Sequence, residues 1–167
     1  KITEEVIETW SKILLKVSNS KLLIKAPSND AEIAQENILK SFKNHKIDSS
    51  RIIFLSKEKE RVNHYKMYNK VDLSLDTFPY SGVTTSIESI WMGVPVLTLK
   101  GSNFTSRCGE SINLNLKMPE FIASDKNDYI DKAVTISKEY ENLANVRNSL
   151  RQKAFNSPLF DVKNFGE

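Results

Sequence analysis

The stretch from Asp76 to Glu88, DTFPYSGVTTSIE, gathers the groups best suited to hold an anion. Gly82 has no Cβ, so a ligand can approach its main chain closely. Thr84 and Thr85 follow at a predicted helix start, where hydroxyls, unpaired N–H groups and the helix dipole all favour negative charge. That chemistry suits a pyrophosphate held without a Walker lysine; plain N-capping by Thr84 or Thr85 is the alternative. The stretch is not G-x-G-x-x-G, so a dinucleotide fingerprint is absent. Glu88, about one turn into the helix, can accept hydrogen bonds from ribose hydroxyls, or can simply occupy the favourable end of the dipole.

Other reactive residue types are sparse. His64 falls in a charged segment before a strand; it is either structural or placed to stack on a base or donate to a phosphate. His45 sits in a polar connection. Cys108 has no base near it in sequence, which argues against a nucleophile. Asp72 and Asp76 flank a strand end; they can form a metal or acid/base pair, or one can cap the turn that follows. One cysteine excludes an internal disulfide and a cysteine-based zinc cluster, and two histidines leave little for a histidine-rich metal site.

The elements that must position these residues alternate between helix and strand. Apolar residues at Val6, Ile7, Trp10, Ile13, Leu14 and Val17 predict a helix over Glu4–Val17, capped by Thr3. Strands are expected at Lys21–Lys25, Arg51–Leu55, Val71–Leu75 and Val94–Leu99, with a short fifth at Glu120–Ala123. Pro27-Ser28-Asn29-Asp30 reads as a turn. Helices are expected at Ala31–Asn44, Lys57–Asn69, Thr84–Met92, Phe104–Leu116, Asn127–Tyr140 and Leu143–Phe155, followed by an irregular tail. Gly93 fits a left-handed helix terminus. Such alternation implies crossover units on a parallel, doubly wound, Rossmann-like α/β sheet, which binds ligands at strand carboxyl ends. The loops after Leu55, Leu75 and Leu99 are therefore the expected ligand side.

Composition sets the class. The 167 residues are 40% hydrophobic and 27% charged, as expected for one globular domain with a sizeable core. The net charge of +3 is spread along the chain, without the clustered basic stripe and aromatics of a nucleic-acid surface. No apolar run is long enough to span a bilayer, and the first residues lack a signal-peptide core. The lone cysteine suits a reducing, cytoplasmic compartment. Starting at Lys1 rather than Met predicts a piece of something longer.

The run from His64 to Gly101, with its core VDLSLDTFPYSGVTTSIESIWMGVPVLTLKG, resembles the catalytic C-terminal lobe of the O-linked N-acetylglucosamine transferase family, glycosyltransferase family 41. The similarity continues through SRCGESI (Ser106–Ile112), EFIA and LRQKAFNSPLFD (Leu150–Asp161), and back to the helix containing Trp10. The resemblance implies a GT-B enzyme of which residues 1–167 form the nucleotide-sugar-binding lobe. It implies a metal-independent hexosyl transfer from UDP-N-acetylglucosamine or a related nucleotide sugar, with no separate cofactor. Lys1 matches the lysine that meets the pyrophosphate and offsets charge on the departing diphosphate. His64 matches the histidine against the uridine, Thr84 and Thr85 the phosphate-binding threonines, and Glu88 the ribose-binding acid.

Val83 stands where animal members have a histidine, and Met67 where they have an arginine near the base. Plant SPINDLY-type relatives use GDP-fucose, and some bacterial members modify asparagine. In the family, the acceptor protein is held by the other lobe and by helical repeats, so the isolated chain is expected to be inactive. The family fold also places a strand just before the lysine matched by Lys1, so the sheet, of order 3-2-1-4-5, is expected to lack its first, central strand. Lys21–Lys25 should then pair with Arg51–Leu55, and Val71–Leu75 with Val94–Leu99, without direct pairing between the two groups. The rival reading is a non-catalytic Rossmann-like nucleotide-binding or regulatory module, and a purely structural fragment is a third.

Overall fold

The computed structural model describes residues 2–25, 31–55, 58 and 60–165. Lys1, the Pro27–Asp30 turn and the expected helix start at Lys57 lie outside the described residues. The chain divides into two compact units, Ile2–Met67 and Tyr68–Glu167.

The first unit begins with helix α1 (Glu4–Lys16), capped as expected by the Thr3 hydroxyl, which accepts from the Val6 N–H. Its apolar stripe of Val6, Ile7, Trp10, Ile13 and Leu14 is buried. Strand β1 (Leu22–Lys25), helix α2 (Ala31–Asn44) and strand β2 (Ile52–Leu55) follow. The two strands pair in parallel, with Leu22 opposite Ile52 and Lys25 opposite Leu55. Arg51, just before β2, donates to the main-chain carbonyls of Leu14, Val17 and Ser20, so a cation closes the carbonyl end of α1. The charged segment forms only a short helix α3 (Arg61–Lys66), which tightens into a 3-10 turn over Met67–Lys70.

In the second unit, strand β3 is confined to Ser74–Leu75 rather than starting at Val71. The Val71 N–H closes a turn onto Tyr68 and its carbonyl accepts from Arg147, so the residue has nothing left for a ladder. Helix α4 (Thr84–Trp91) follows the loop and ends at Gly93, whose φ of 78° is the expected left-handed terminus. Strand β4 (Val96–Leu99) starts two residues later than expected. Val94 gives its N–H to the Ser89 carbonyl at the end of α4, and Pro95 has none to give.

Helix α5 (Phe104–Asn115), strand β5 (Ile122–Ala123), helix α6 (Lys126–Lys138) and helix α7 (Tyr140–Phe155) complete the unit. The tail is less irregular than expected: a 3-10 turn at Pro158–Phe160 leads into the single-turn helix α8 (Val162–Phe165). The three strands are parallel in the order β3-β4-β5. The pairings β1 with β2 and β3 with β4 are those expected, and no ladder joins the two groups among the described residues. Ile90, Val96, Ile112, Leu116, Met118, Phe121, Leu150 and Ala154 form the core of this unit. Asn113 ties its strands from below, donating to the carbonyls of Val96 at 2.9 Å and Phe121 at 3.2 Å.

Candidate functional site

Four of the sequence-predicted residues, Gly82, Thr84, Thr85 and Glu88, come together at the junction of β3, its loop and α4. The loop leaves the carboxyl end of β3, where the Asp76 N–H still bonds to the Leu97 carbonyl of β4 at 2.9 Å. It is fixed at three further points. The Asp76 carboxylate accepts from the Gly82 N–H at 2.7 Å, Thr77 Oγ1 donates to the Tyr80 carbonyl at 2.8 Å, and Ser81 Oγ donates to the Thr105 carbonyl at 2.9 Å. Asp76 therefore does cap the turn, one of its two sequence-level alternatives.

The start of α4 departs from ordinary capping. Val83 occupies the cap position with no side-chain hydrogen bond. Thr84 and Thr85 are the first two helical residues and are exposed, so neither acts as the cap. The N–H groups of Thr84, Thr85 and Ser86 donate to nothing among the described residues; the first bond of the helix runs from Ile87 N to Val83 O at 3.0 Å. Three unpaired N–H groups and two exposed hydroxyls at the positive end of a helix form a seat for an oxyanion. Gly82 keeps that seat open. A Cβ there would lie 2.6 Å from Thr85 Oγ1 and 2.8 Å from Ser86 Oγ. Glu88 is half-buried on the same helix, one turn from the seat.

The other two predicted residues, His64 and Lys1, lie outside this part of the described structure. His64 belongs to the first unit, on α3, where its ring is half-buried and Lys25 Nζ, at the end of β1, donates to Nδ1. Lys1 lies outside the described residues. Cys108 is half-buried, with its thiol directed at the Phe104 carbonyl at 3.3 Å. No group of three His, Cys, Asp or Glu side chains suited to a metal ion occurs among the described residues.

Sequence reasoning missed the support beneath the loop. Asp76 is 6% exposed and its second carboxylate oxygen accepts from Thr98 Oγ1 at 2.9 Å. Tyr129, on α6, donates through its hydroxyl to the Asp76 main-chain carbonyl at 2.9 Å, and its ring meets Phe78 edge-on. Burial pushes the Asp76 carboxyl up to about 6, against the lowering effect of its hydrogen bonds. Gly109 lets α5 pass directly over this network. The one available signal was a glycine inside a helical pattern, which marks close backbone approach.

Comparison with known proteins supplies the relatives. The family model described as Glycosyl transferase family 41 matches residues 1–167. The chain is 34% identical over 165 residues to a protein of Eustoma exaltatum subsp. russellianum named probable UDP-N-acetylglucosamine--peptide N-acetylglucosaminyltransferase SPINDLY, covering 99% of this chain and 18% of that protein. It is 31% identical over 166 residues to the Caenorhabditis elegans UDP-N-acetylglucosamine--peptide N-acetylglucosaminyltransferase, covering 99% of this chain and 14% of that one. Among solved structures, a mutant of the Thermobaculum terrenum O-GlcNAc transferase matches with a TM-score of 0.86 and 32% identity, over 91% of this chain and 29% of that chain. The chain thus spans under a fifth of the length of the curated relatives.

Proposed function

The chain belongs to glycosyl transferase family 41, and from that membership we propose that residues 1–167 are the nucleotide-sugar-binding lobe of a GT-B protein glycosyltransferase that uses UDP-N-acetylglucosamine. The observation that carries the reading is the start of α4, where the N–H groups of Thr84, Thr85 and Ser86, beside Gly82, have no partner among the described residues. In this reading those groups hold the diphosphate and Glu88 holds the ribose. His64 lies against the uracil, and Lys1 meets the pyrophosphate.

The chemistry asked of this lobe is electrostatic. Transfer of the sugar leaves a nucleoside diphosphate whose negative charge grows as the glycosidic bond breaks. Fixed N–H dipoles at a helix start stabilise that charge without reorganising, and Lys1 adds a full positive charge. The acceptor, a protein side chain, is presented by the other lobe and by helical repeats, so this lobe alone transfers nothing. No described helix is long and apolar enough to cross a membrane. The lone cysteine supports a cytoplasmic setting.

Calorimetric titration of the full-length protein with UDP and, separately, GDP, in the presence of EDTA, tests the reading. Binding of UDP in preference to GDP is the expected result. Binding of GDP with none of UDP overturns the uridine assignment, and binding of neither overturns the nucleotide-sugar reading.

A further inference from the structure

The Asp76 carboxylate is a buried acid beneath the site, hydrogen-bonded but with no cationic side chain paired to it among the described residues. An asparagine could still accept from the Gly82 N–H and donate to the Thr98 hydroxyl without the cost of burying a charge, whereas the carboxylate here accepts from Gly82, Thr98 and the Thr77 N–H. A buried negative charge also opposes anion binding nearby. The point where a Gly82 Cβ would stand is 2.6 Å from Thr85 Oγ1 and 3.4 Å from Asp76 Oδ1, so the buried charge and the proposed phosphate seat border the same spot.

We propose that Asp76 is a positioning residue of the phosphate cradle, and that the donor's diphosphate binds with uptake of one proton by the Asp76 carboxyl. This rests on the nucleotide-sugar reading above. The proton comes from solvent and converts the carboxylate to the neutral acid as the diphosphate takes over the positive end of α4.

The surroundings favour this exchange. Among the described residues, no Lys, Arg or His side chain pairs with Asp76. On β4 its neighbour is Thr98; Lys100, just past the strand, is bound to Glu110 at 2.9 Å. On α5 it meets Gly109, flanked by Cys108 and by Glu110, whose carboxylate is held by Lys100 and by Arg107 at 2.7 Å. From α6, the Tyr129 hydroxyl donates to the Asp76 main chain. On α4 the nearest groups are the Thr85 and Ser86 hydroxyls, with Glu88 a turn further on. Burial, outweighing the hydrogen bonds that lower it, already holds the carboxyl up to about 6, so a nearby diphosphate needs to raise it only modestly to draw a proton at neutral pH.

Protonation also leaves the loop in place. The neutral acid can donate through Oδ2 to Thr98 Oγ1, which has lone pairs to accept, while Oδ1 continues to accept from Gly82. The proton removes the charge and keeps the geometry.

The test is calorimetric titration of the full-length protein with UDP-N-acetylglucosamine, whose diphosphate diester does not titrate between pH 5.5 and 8. Titrations in buffers of different ionisation enthalpy read the number of protons taken up. The wild type should take up a fraction of a proton at pH 7. Its affinity should weaken from pH 6 to 8 by several-fold, and by no more than about tenfold per pH unit. Asp76→Asn should abolish both effects and bind at pH 8 at least as tightly as the wild type. Thr98→Val removes a hydrogen bond that is stronger to the carboxylate than to the neutral acid and that lowers the carboxyl, and should move the pH dependence to higher pH. An unchanged pH slope in Asp76→Asn overturns the proposal; so does wild-type binding without proton uptake, which leaves the nucleotide-sugar reading standing. Absence of binding at every pH overturns that reading itself.

Discussion

Gly109 on α5 faces Thr98 on β4 so closely that a Cβ on the glycine would lie 2.2 Å from Thr98 Oγ1 and 2.8 Å from Thr98 Cβ. The same atom would stand 2.8 Å from Asp76 Oδ2. The missing side chain is what allows a helix, a strand and a buried carboxyl to meet beneath the loop.

Gly109→Ala should therefore destabilise the fold although alanine is the better helix former. The propensity gain of roughly 1 kcal/mol is set against overpacking of a β-branched neighbour that cannot retreat, which costs about 1–3 kcal/mol and disturbs Asp76 as well. Urea unfolding measures the balance. A variant as stable as the wild type would mean that α5 can shift away from β4 without loss.

Thr84→Ala combined with Thr85→Ala should weaken nucleotide binding and spare the fold. Both side chains are exposed and neither caps α4, so the stability change should stay within about ±0.5 kcal/mol. Each lost hydrogen bond to a charged phosphate should cost about 1.5–3 kcal/mol of affinity. Calorimetry with UDP and thermal unfolding on the same variant give both quantities.

Much of this arrangement was legible in the sequence, because it depends on local chemistry. Glycine before paired threonines, following an apolar strand, marks a strand–loop–helix junction whatever surrounds it. Gly93 likewise announces a left-handed terminus. What was not legible depends on contacts distant along the chain. That the Val71 carbonyl is claimed by Arg147 shortens β3 to two residues, and no pattern around Val71 reveals it. Tyr129 reads as one apolar residue of an amphipathic helix, yet its hydroxyl reaches back to Asp76. Asp76 itself reads as an ordinary turn cap; only its burial distinguishes it.

The pH dependence of stability should carry the mark of Asp76. Its carboxyl is raised from 3.8 to about 6 in the fold, so between those values the folded state binds more protons than the unfolded chain. The resulting stabilisation is fully present below pH about 4, is lost as pH rises through about 6, and is on the order of 3 kcal/mol. Glu110 acts in the opposite sense. Arg107 and Lys100 lower its carboxyl below 4.5, so its contribution is present at neutral pH and is lost as pH falls. Subtracting the profile of Asp76→Asn from that of the wild type, by urea unfolding between pH 4 and 7, isolates the first term. A flat difference would show that Asp76 ionises as it does in the unfolded chain.

A crystal structure of the full-length protein with UDP bound tests the central claim most directly. The account predicts diphosphate oxygens within hydrogen-bonding distance of the N–H groups of Thr84 and Thr85, with the ribose against Glu88. A diphosphate bound elsewhere, with the first turn of α4 facing only water, would contradict it.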